Sequence, residues 1–405
     1  MPDHPYGWCS LLPPALAILL AIITFSLSLI GTFIVRSGVI TSVHAFANDP
    51  ERGVFILAIL GVAIIGSLSL YAWRAPGMRS EGLFQPISRE GGLILNNLAL
   101  AVAAAVVFIG TLAPLVREFF DGAKISVGAP FFDLAFTPFM VILFIAIPMG
   151  SLLPWKRGDL GAVMARLWWA AAAALGLGGV VWGLQTGNAL LAPVGLALAA
   201  WLILGVFVEI GARAGLPRAS LGTALGRLAR LPRADWGKFL AHGGLGLSVM
   251  GIAAVTAWEA EDIRLARPGD VIPLGGYEFH FDGVSEGQGP NYVYERGHFT
   301  AYWGSEAGGD PVAVLEPEKR LYPVQGQPTT EAAIDSGLAR DLYLVLGDKQ
   351  AGGDAWAVRI YIKPLANWIW LGALVMAIGG LVSLTDRRYR VGAAARRGAA
   401  AVPAE

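Results

Sequence analysis

Residues 238–258 have the sequence KFLAHGGLGLSVMGIAAVTAW, and this stretch decides the class of fold. Its first residue, Lys238, is charged, and His242 is the one other ionisable residue in it. An α-helix of ~20 predominantly apolar residues is long enough to cross the ~30 Å hydrocarbon core of a bilayer. The stretch therefore predicts a membrane-spanning helix.

Seven other apolar runs of similar length are bounded by charges, Pro or Gly. They lie at Leu11–Val35, Val54–Trp73, Leu93–Leu115, Phe131–Leu153, Leu167–Leu184, Ala189–Ile210 and Leu365–Leu384. The composition agrees, because 55% of the residues are hydrophobic and only 15% are charged, whereas soluble domains carry about 25% charge. The sequence predicts an α-helical polytopic membrane protein with about eight transmembrane helices.

Basic residues are concentrated in every second connection between the predicted spans. Those on the basic side are Arg74, Arg79, Arg89, Lys156, Arg157, Arg166, Arg213, Arg218, Arg227, Arg230, Arg233, Arg387, Arg388, Arg390, Arg396 and Arg397. The other short connections hold only Arg36, Arg52, Arg117 and Lys124. Because Lys and Arg accumulate in cytoplasmic connections, both termini are predicted to be cytoplasmic, and residues 259–364 are predicted to face the periplasm from a bacterial inner membrane.

Residues 259–364 differ in pattern from the rest of the chain. Four segments alternate polar and apolar residues as strands do, between Gly, Pro and Asp. They are Tyr277–Val284, His298–Trp303, Val312–Leu315 and Trp356–Ile362. We predict a small β-rich domain here, with a short helical piece within Thr329–Leu346.

These patterns divide the chain into five parts. They are a tail at 1–10, a seven-helix transmembrane region at 11–258, the β-rich periplasmic domain at 259–364, a last transmembrane helix at 365–385 and a cytoplasmic tail at 386–405. Met1–Ser10 lacks the basic segment that opens a secretory signal, so we expect the first apolar run to be a retained helix.

Several function classes are excluded or disfavoured by composition and motifs. The one cysteine, Cys9, excludes an internal disulfide, and it also excludes a CxxC zinc, iron–sulfur or dithiol site built from this chain alone. Nothing resembles a P-loop, which argues against an ATP-driven transporter, and we find no serine–histidine–acid arrangement with local sequence support. The formal net charge is zero, so the charge of the whole chain indicates no particular partner, and a nucleic-acid partner is not predicted.

Two histidines lie within or next to predicted spans, where ionisable side chains are costly and are candidates for function. His44 follows the first span at its periplasmic end, and His242 lies one turn into the seventh span. Each is equally compatible with a hydrogen-bonded interfacial histidine and with a metal ligand. A helix rises 1.5 Å per residue, so the two lie toward opposite faces of the membrane and cannot bind one metal or one haem. His4, His280 and His298 are predicted to have structural roles.

Small residues follow His242 in the segment 243–246, GGLG. Glycines let a second helix, or a flat macrocycle, approach the backbone closely, and helix packing is the commoner reason for them. The thirteen tryptophans are explained in part by the aromatic belts at membrane interfaces and do not indicate a cofactor.

Arg36 and Arg117 are the positive groups on the predicted outer face nearest His44. A guanidinium pairs in a bidentate way with carboxylates such as haem propionates, and equally well with phosphate. The sequence supports both interpretations of these arginines equally: a contact with a haem propionate and a contact with a lipid phosphate.

The stretch Ser28–Leu57, SLIGTFIVRSGVITSVHAFANDPERGVFIL, resembles the CcmF family of cytochrome c-type biogenesis proteins, the haem lyase subunits of bacterial cytochrome c maturation. The resemblance covers roughly residues 20–390. Its further motifs are Ser88-Arg-Glu, Asn96-Asn97, ISVGAPFF at 125–132, Ala241-His242, GPNY at 289–292, EKRLY at 318–322, TEAAID at 330–335, RDLY at 340–343, Trp368-Ile-Trp370 and DRRY at 386–389.

The resemblance implies covalent attachment of haem to the CxxCH motif of apocytochrome c at the outer face of the membrane. It implies as partners the haem chaperone CcmE and the protein CcmH. His44 matches a periplasmic histidine that ligates the iron of the substrate haem, which makes it the expected catalytic residue, with Arg36 as an expected propionate contact. His242 matches a transmembrane histidine that ligates a resident haem b.

Members of this family carry a tryptophan-rich WWD segment, a second flanking histidine and a second haem b ligand upstream of the region that matches. These features are absent from this sequence, and Met1–Pro14 does not match the family. We therefore expect a C-terminal portion of a haem lyase. It is either a truncated or frameshifted reading frame or one half of a split protein, whose separate N-terminal half contains the WWD segment. Alone it is expected to lack half of each haem site.

Two other function classes remain open. The chain is compatible with a non-catalytic membrane scaffold, or incomplete fragment, that recruits CcmH and apocytochrome, and also with a small-molecule transporter. Paired broken helices would favour transport, and no convincing pair is present. Within the family, a relative devoted to nitrite reductase attaches haem at a variant site, and the sequence is compatible with that role as well.

Overall fold

The computed structural model describes residues 14–36, 50–74, 85–122, 125–185, 191–304, 309–323 and 326–386. These residues form two compact units: those up to Val163 together with Asp386, and Met164–Thr385. Eight helices of the described residues are long and apolar enough to cross a membrane. Each of the eight predicted apolar runs coincides with one of them, which confirms the polytopic α-helical class.

The first unit contains two packed pairs of helices. Helix α1 (Pro14–Arg36) packs on α2 (Pro50–Arg74), and α3 (Arg89–Asp121) packs on α4 (Ala129–Leu152). Their exposed side chains are largely apolar, as the hydrocarbon surroundings of a membrane require.

The connection that follows α4 is hydrogen-bonded to the start of α3. The fully buried Ser88 caps α3, since its hydroxyl accepts a hydrogen bond from a backbone N–H of the first turn. Arg89 donates to the carbonyl of Ser151 at 2.7 Å, and the Glu90 carboxylate accepts from the Lys156 N–H at 2.7 Å. The motif Ser88-Arg-Glu thus holds a helix end and the adjoining turn together.

The second unit contains the remaining helices. They are α5 (Leu160–Leu184, whose first residues belong to the first unit), α6 (Leu191–Ala214), α7 (Leu221–Ala229), α8 (Arg233–Trp258) and α9 (Ala366–Leu384). Helices α6 and α9 both pack on α8. The short helix α7 lies in the connection between α6 and α8 and is not among the elements predicted from the sequence.

Helices α8 and α9 approach so closely that their backbones touch. The glycines of α8 that face α9 are Gly237, Gly244 and Gly251, at intervals of seven residues. A Cβ added to Gly244 would lie 2.6 Å from the Gly372 carbonyl oxygen, and one added to Gly251 would lie 2.8 Å from the Ile369 nitrogen. These glycines therefore serve helix packing, as small residues do in membranes.

Between α8 and α9 the described residues form ten strands in two sheets. The strands are β1 (Ala260–Ala266), β2 (Val271–Leu274), β3 (Tyr277–Gln288), β4 (Val293–Trp303), β5 (Ala313–Leu315), β6 (Glu318–Tyr322), β7 (Gln327–Glu331), β8 (Ala333–Ser336), β9 (Arg340–Lys349) and β10 (Trp356–Pro364). One sheet has the order β1-β10-β9-β8, and the other has the order β2-β3-β4-β6-β7 with β5 beside β4. The four predicted strand segments and the β-rich domain are thus confirmed.

One core lies between the two sheets. Phe281 and Phe299 stack with ring centroids 4.4 Å apart and planes 4° apart, on the inner face of β3 and β4. Leu342, Leu344 and Leu346 of β9 are fully buried from the other sheet. In each of these strands the buried residues alternate with more exposed ones, because successive side chains of a strand point to opposite faces, and one face therefore lies in the core.

The predicted helical piece within Thr329–Leu346 is wrong, because these residues belong to β7, β8 and β9. Strands β8 and β9 form a hairpin, in which Ala333 pairs with Leu344 and Ser336 pairs with Asp341. The leucines of β9 occupy every second position, so they share one buried face only when this segment is a strand. This burial overrides the local helix propensity of the TEAA segment.

The sandwich is joined to the membrane helices through both of its end strands. Strand β1 continues from α8 and β10 leads into α9, and the two strands pair, with Ala260 opposite Ile362. At the start of α9 the Trp368 indole N–H donates to the Leu338 carbonyl at 2.8 Å, and the Asn367 amide donates to the Gly337 carbonyl at 2.9 Å. The β8–β9 turn is therefore fixed to α9.

A buried carboxylate links β4 and β6. Glu318, 7% exposed, accepts hydrogen bonds from Arg296 at 2.6 Å and from Arg320 at 2.7 Å. Burial raises the pKa of Glu318, but the hydrogen bonds and charges of Arg320 and Arg296 outweigh this and hold the pKa below its ordinary value of 4.5.

We expect the β-sandwich to lose stability in acid. A carboxyl whose pKa is lowered by folding contributes stability above its unfolded-chain pKa of 4.5, and that contribution disappears as the pH falls through the folded value. Glu318→Gln should cost about 2 kcal/mol at neutral pH and flatten the acid dependence. Thermal unfolding of the full chain in detergent, from neutral pH to below 4.5, measures both. The exposed Glu286→Gln is the control. An unchanged acid slope in Glu318→Gln would contradict the prediction.

The helix contact predicts opposite outcomes for two neighbouring glycines of α9. A Cβ on Gly379 would lie 2.8 Å from the Ala241 nitrogen of α8, whereas a Cβ on Gly380 meets nothing within 4 Å. Gly379→Ala should destabilise the full chain by about 1–3 kcal/mol through overpacking. Gly380→Ala should be neutral or should stabilise it by up to about 1 kcal/mol through helix propensity. The midpoint of thermal unfolding in detergent compares them, and equal midpoints would refute the close contact.

Candidate functional site

The structure gives a geometry for one of the three predicted site residues. His242 lies on α8, within a candidate span, and is half-buried. His44 lies outside the described residues. Arg36 is the last residue of α1, and its side chain lies outside them as well. The geometry of the site is therefore that of His242 and its neighbours.

His242 lies on the side of α8 that faces α6. Gly246, one turn further along α8, is in contact with α6, since a Cβ added there would lie 2.6 Å from Ile203 and 3.3 Å from the Ala199 carbonyl oxygen. Residues four apart share one face of a helix, so Lys238, His242 and Gly246 lie along one line. Helix α6 thus closes this face of α8 one turn beyond the imidazole.

A cluster of four charged side chains lies one turn before His242. The Lys238 ammonium is hydrogen-bonded to the Glu209 carboxylate of α6, whose side chain is 3% exposed. Arg213 lies 3.8 Å from Glu209 and 3.4 Å from Asp235, and Lys238 lies 3.6 Å from Asp235. With two acids and two bases, the cluster is formally neutral. Such compensation is what allows charges at membrane depth.

This cluster is not among the predictions from the sequence. Only the two histidines were predicted as ionisable groups at membrane depth, although Glu209 falls inside the predicted span Ala189–Ile210. A carboxylate in an apolar run is itself a signal of a buried partner. The partner, Lys238, opens the next predicted span, Lys238–Trp258, and the pairing of the two runs in space was not deducible from their spacing.

The surroundings of His242 would allow its imidazole to serve as one ligand of a haem iron. An imidazole at membrane depth is an accepted axial ligand, and beside it a Cβ added to Gly243 would meet open space. Gly244 and Gly246 leave no room for a macrocycle, because α9 and α6 fill the space beside them. Among the histidines that the structure describes, no second one lies in a candidate span.

The structure also brings together a serine, a histidine and an acid that the sequence did not reveal as a group. In the sandwich, Nε2 of His298 lies 2.8 Å from the Ser285 hydroxyl, and Nδ1 lies 3.2 Å from the Glu316 carboxylate. Ser285 and Glu316 are exposed on a sheet surface, whereas triad chemistry requires donors preorganised for an oxyanion in a site that excludes water. The arrangement therefore supports the structural role predicted for His298, as a link between β3, β4 and the segment after β5.

His280 likewise lies within the sandwich. Its ring packs edge-on against Tyr302 with centroids 5.0 Å apart, and its Nε2 lies 3.8 Å from the Glu278 carboxylate. These contacts are within and between neighbouring strands β3 and β4, which fits a structural role.

Removing one partner of the Glu209–Lys238 pair should cost more than removing both. Lys238→Met leaves a carboxylate buried without its main partner, at a cost of about 3–5 kcal/mol. The double variant Lys238→Met with Glu209→Gln should recover a large part of that loss. A double-mutant cycle on thermal unfolding in detergent measures the coupling. The exposed pair Arg117–Asp121 is the control and should couple by less than about 1 kcal/mol. Equal coupling in the two pairs would contradict the expectation.

Comparison with known proteins gives close relatives over almost the whole chain. A family model described as CcmF C-terminal beta-sandwich matches residues 257–364. The chain is 54% identical over 380 residues to cytochrome c-type biogenesis protein ccl1 of Rhodobacter capsulatus, covering 94% of this chain and 56% of that protein. It is 52% identical over 379 residues to CycK of Rhizobium meliloti, with coverage of 94% and 55%. It is 41% identical over 378 residues to CcmF of Escherichia coli, with coverage of 93% and 56%.

A solved structure of a protein named cytochrome c heme lyase CcmF shares the fold. It aligns with a TM-score of 0.66 and 21% identity over 92% of this chain and 55% of that chain. The chain thus spans about half the length of the relatives it matches. By these likenesses the chain is similar to cytochrome c-type biogenesis proteins of the CcmF family.

Proposed function

We propose that this chain is a haem lyase component of cytochrome c maturation. It holds haem at the periplasmic face of the inner membrane for thioether attachment to the CxxCH motif of apocytochrome c. The observation that carries the proposal is the 54% identity to a cytochrome c-type biogenesis protein over 94% of the chain. His242, at membrane depth in the region of that likeness, supports it further.

The reaction adds the S–H bonds of two cysteines across the two vinyl groups of haem. Each addition forms one C–S and one C–H bond and consumes no external oxidant. The macrocycle supplies the reactive vinyl groups, so the protein contributes position and electrostatics. In this proposal His44 ligates the iron of the substrate haem and Arg36 pairs with a propionate, which together fix the orientation of the vinyl groups.

His242 is proposed to ligate a resident haem b toward the cytoplasmic side of the membrane. Bound there, haem b supplies one-electron redox chemistry. The protein's part is to fix the imidazole, and α8 is well suited to this because α9 and α6 hold it on two sides. Glu209 compensates the charge of Lys238 one turn away, so the neighbourhood of the imidazole carries little net charge.

The topology proposed from the charge pattern is eight spans with both termini cytoplasmic. The β-sandwich, assigned to residues 259–364 between a seven-helix region at 11–258 and a last helix at 365–385, then faces the periplasm. There it is available to CcmE, CcmH and apocytochrome c. The second half of each haem site, including the WWD segment, is proposed to come from residues outside this sequence.

One feature of the sandwich favours the second candidate, a non-catalytic scaffold. Arg296 lies over the Tyr294 ring at 4.8 Å, and Arg320 lies over the Tyr292 ring at 4.6 Å. Arginine and tyrosine are enriched in protein–protein interfaces. A surface of this kind suits the recruitment of a maturation partner whether or not the chain binds haem.

The test is a reduced-minus-oxidised absorption spectrum of the detergent-purified chain, expressed alone and with an N-terminal half that contains the WWD segment. We expect a b-type signal on co-expression. His242→Ala should abolish it, because no other described histidine in a candidate span can replace the ligand. His298→Ala is the matched control, since this histidine lies in the β-sandwich, and it should keep the signal.

The same experiment separates the two haem roles. His44→Ala should keep the b-type signal but abolish formation of holocytochrome c in a reconstituted maturation system. Absence of haem from the co-expressed, folded chain would favour the scaffold. Normal holocytochrome levels in His44→Ala would refute the role proposed for that histidine.

A further inference from the structure

The connection between α6 and α8 contains an amphipathic helix at the edge of the membrane. Helix α6 ends at Ala214 and α8 begins at Arg233, and both belong to candidate spans. Helix α7 (Leu221–Ala229) lies between them, six residues after the first span and three residues before the second. Chain length alone therefore keeps α7 close to the membrane surface.

One face of α7 is apolar and exposed. Leu221 and Leu225, four residues apart on the same face, are 73% and 57% exposed, and Leu216 just before the helix is 52% exposed. The buried side of the helix is marked by Ala224. The apolar face thus lies beside the protein-facing side and is not covered by the part of the chain that the structure describes.

The polar surroundings of this face are basic. Residues 210–234 contain five arginines and neither Asp nor Glu. Arg227 is used inside the fold, because its guanidinium donates to the Ala214 carbonyl at the end of α6, at 3.2 Å. Arg218, Arg230 and Arg233 are exposed, and none of the ion pairs among the described residues includes them.

We propose that α7 is an interfacial helix that inserts Leu221 and Leu225 into the bilayer while Arg218, Arg230 and Arg233 bind anionic phospholipid headgroups. An exposed apolar face beside arginines is the pattern of helices that lie in the membrane interface. Basic groups near such a surface each contribute about 1 kcal/mol of attraction to anionic lipid.

Two features favour lipid as the molecule that covers the apolar face of α7: the positive charge beside that face, and its direct connection to the spans α6 and α8. Helix α7 lies within a few residues of the membrane surface that α6 leaves and α8 enters, and anionic headgroups at that surface would complement the arginines. The chain's own tail at 387–405, with five arginines and one glutamate, would be repelled by them. A soluble acidic partner would complement the arginines, but its charge would not explain the two exposed leucines beside them.

The binding has a consequence for the helix bundle. The bond from Arg227 to Ala214 joins α7 to the end of α6, five residues beyond Glu209. A helix held by lipid therefore fixes the end of α6 from which Glu209 reaches Lys238 of α8. This inference does not depend on haem chemistry, and its test uses lipid alone.

The test places an environment-sensitive fluorophore on α7 in the full chain. In a Cys9→Ser background, which removes the one native cysteine, the label is attached at Leu225→Cys or at Gly226→Cys. Gly226 is the control, because it lies about 100° around the helix from Leu225, off the face that Leu221 and Leu225 share, and a Cβ there meets nothing within 4 Å. The proteins are reconstituted in phosphatidylcholine vesicles with and without phosphatidylglycerol, and quenched by doxyl-labelled acyl chains or by aqueous iodide.

We expect acyl-chain quenching at Leu225→Cys several-fold above that at Gly226→Cys, and an increase when phosphatidylglycerol is added. Greater exposure of the 225 label to iodide than to doxyl lipid in both vesicle types would overturn the proposal. It would indicate a face open to a soluble partner instead.

The headgroup contacts are tested by neutralising two arginines. Arg218→Gln with Arg230→Gln should raise the phosphatidylglycerol fraction needed for half-maximal quenching, corresponding to an affinity about 30-fold weaker at ~1 kcal/mol per arginine. Arg157→Gln with Arg166→Gln removes the same charge from exposed residues outside this connection and should leave the value nearly unchanged. An equal change for both pairs would overturn the assignment of the headgroup contacts to the α7 segment.

Discussion

The backbone contact between α8 and α9 is the interaction on which the second unit depends. Helices in hydrocarbon gain little from apolar burial, so their association relies on close packing. Gly237, Gly244 and Gly251 meet α9 at intervals of seven residues, and Gly372 and Gly379 return the contact from the other side. Larger side chains at these positions would separate the helices, so the glycines fix both the distance and the register.

That register is continued outside the predicted membrane region. Helix α8 leads into β1 and α9 follows β10, and these strands pair from Ala260 and Ile362 onward. Lys363 lies 3.7 Å from Glu259 at the same junction. The helix pair and the strand pair are thus one antiparallel hairpin that changes its secondary structure on leaving the apolar spans. The other eight strands of the sandwich lie between the two arms of this hairpin along the chain.

Much of this architecture is readable from the sequence, because the spans and strands are decided by local patterns. Each membrane helix is a run of apolar residues whose length follows from the thickness of the bilayer. The alternation in Tyr277–Val284 similarly predicts a strand, which the structure shows as part of β3. These patterns need no knowledge of distant residues.

The failures have a common physical origin in contacts between segments that are distant in sequence. The TEAA segment near Thr330 has helix-forming residues, but its neighbour β9 buries Leu342 and Leu344 only in a hairpin with β8. The role of the glycines after His242 was left open between a helix and a macrocycle. It was decided for Gly244 by α9, more than 100 residues away, and for Gly246 by α6. The pairing of Glu209 with Lys238 was not deducible because the two residues lie on different helices.

The position of His242 relative to the sandwich limits how the two can communicate. From His242 to Ala260 there are 18 residues of mostly helical chain, or ~27 Å at 1.5 Å per residue. A molecule docked on the sandwich is too distant to touch the imidazole. The path between them is the α8–α9 pair, and its glycine contacts leave no room for one helix to slide past the other without a clash between backbones. Any influence of the sandwich on His242 must therefore pass through movement of the pair as a unit, or through α6, which meets α8 at Gly246 and at the Glu209–Lys238 ion pair.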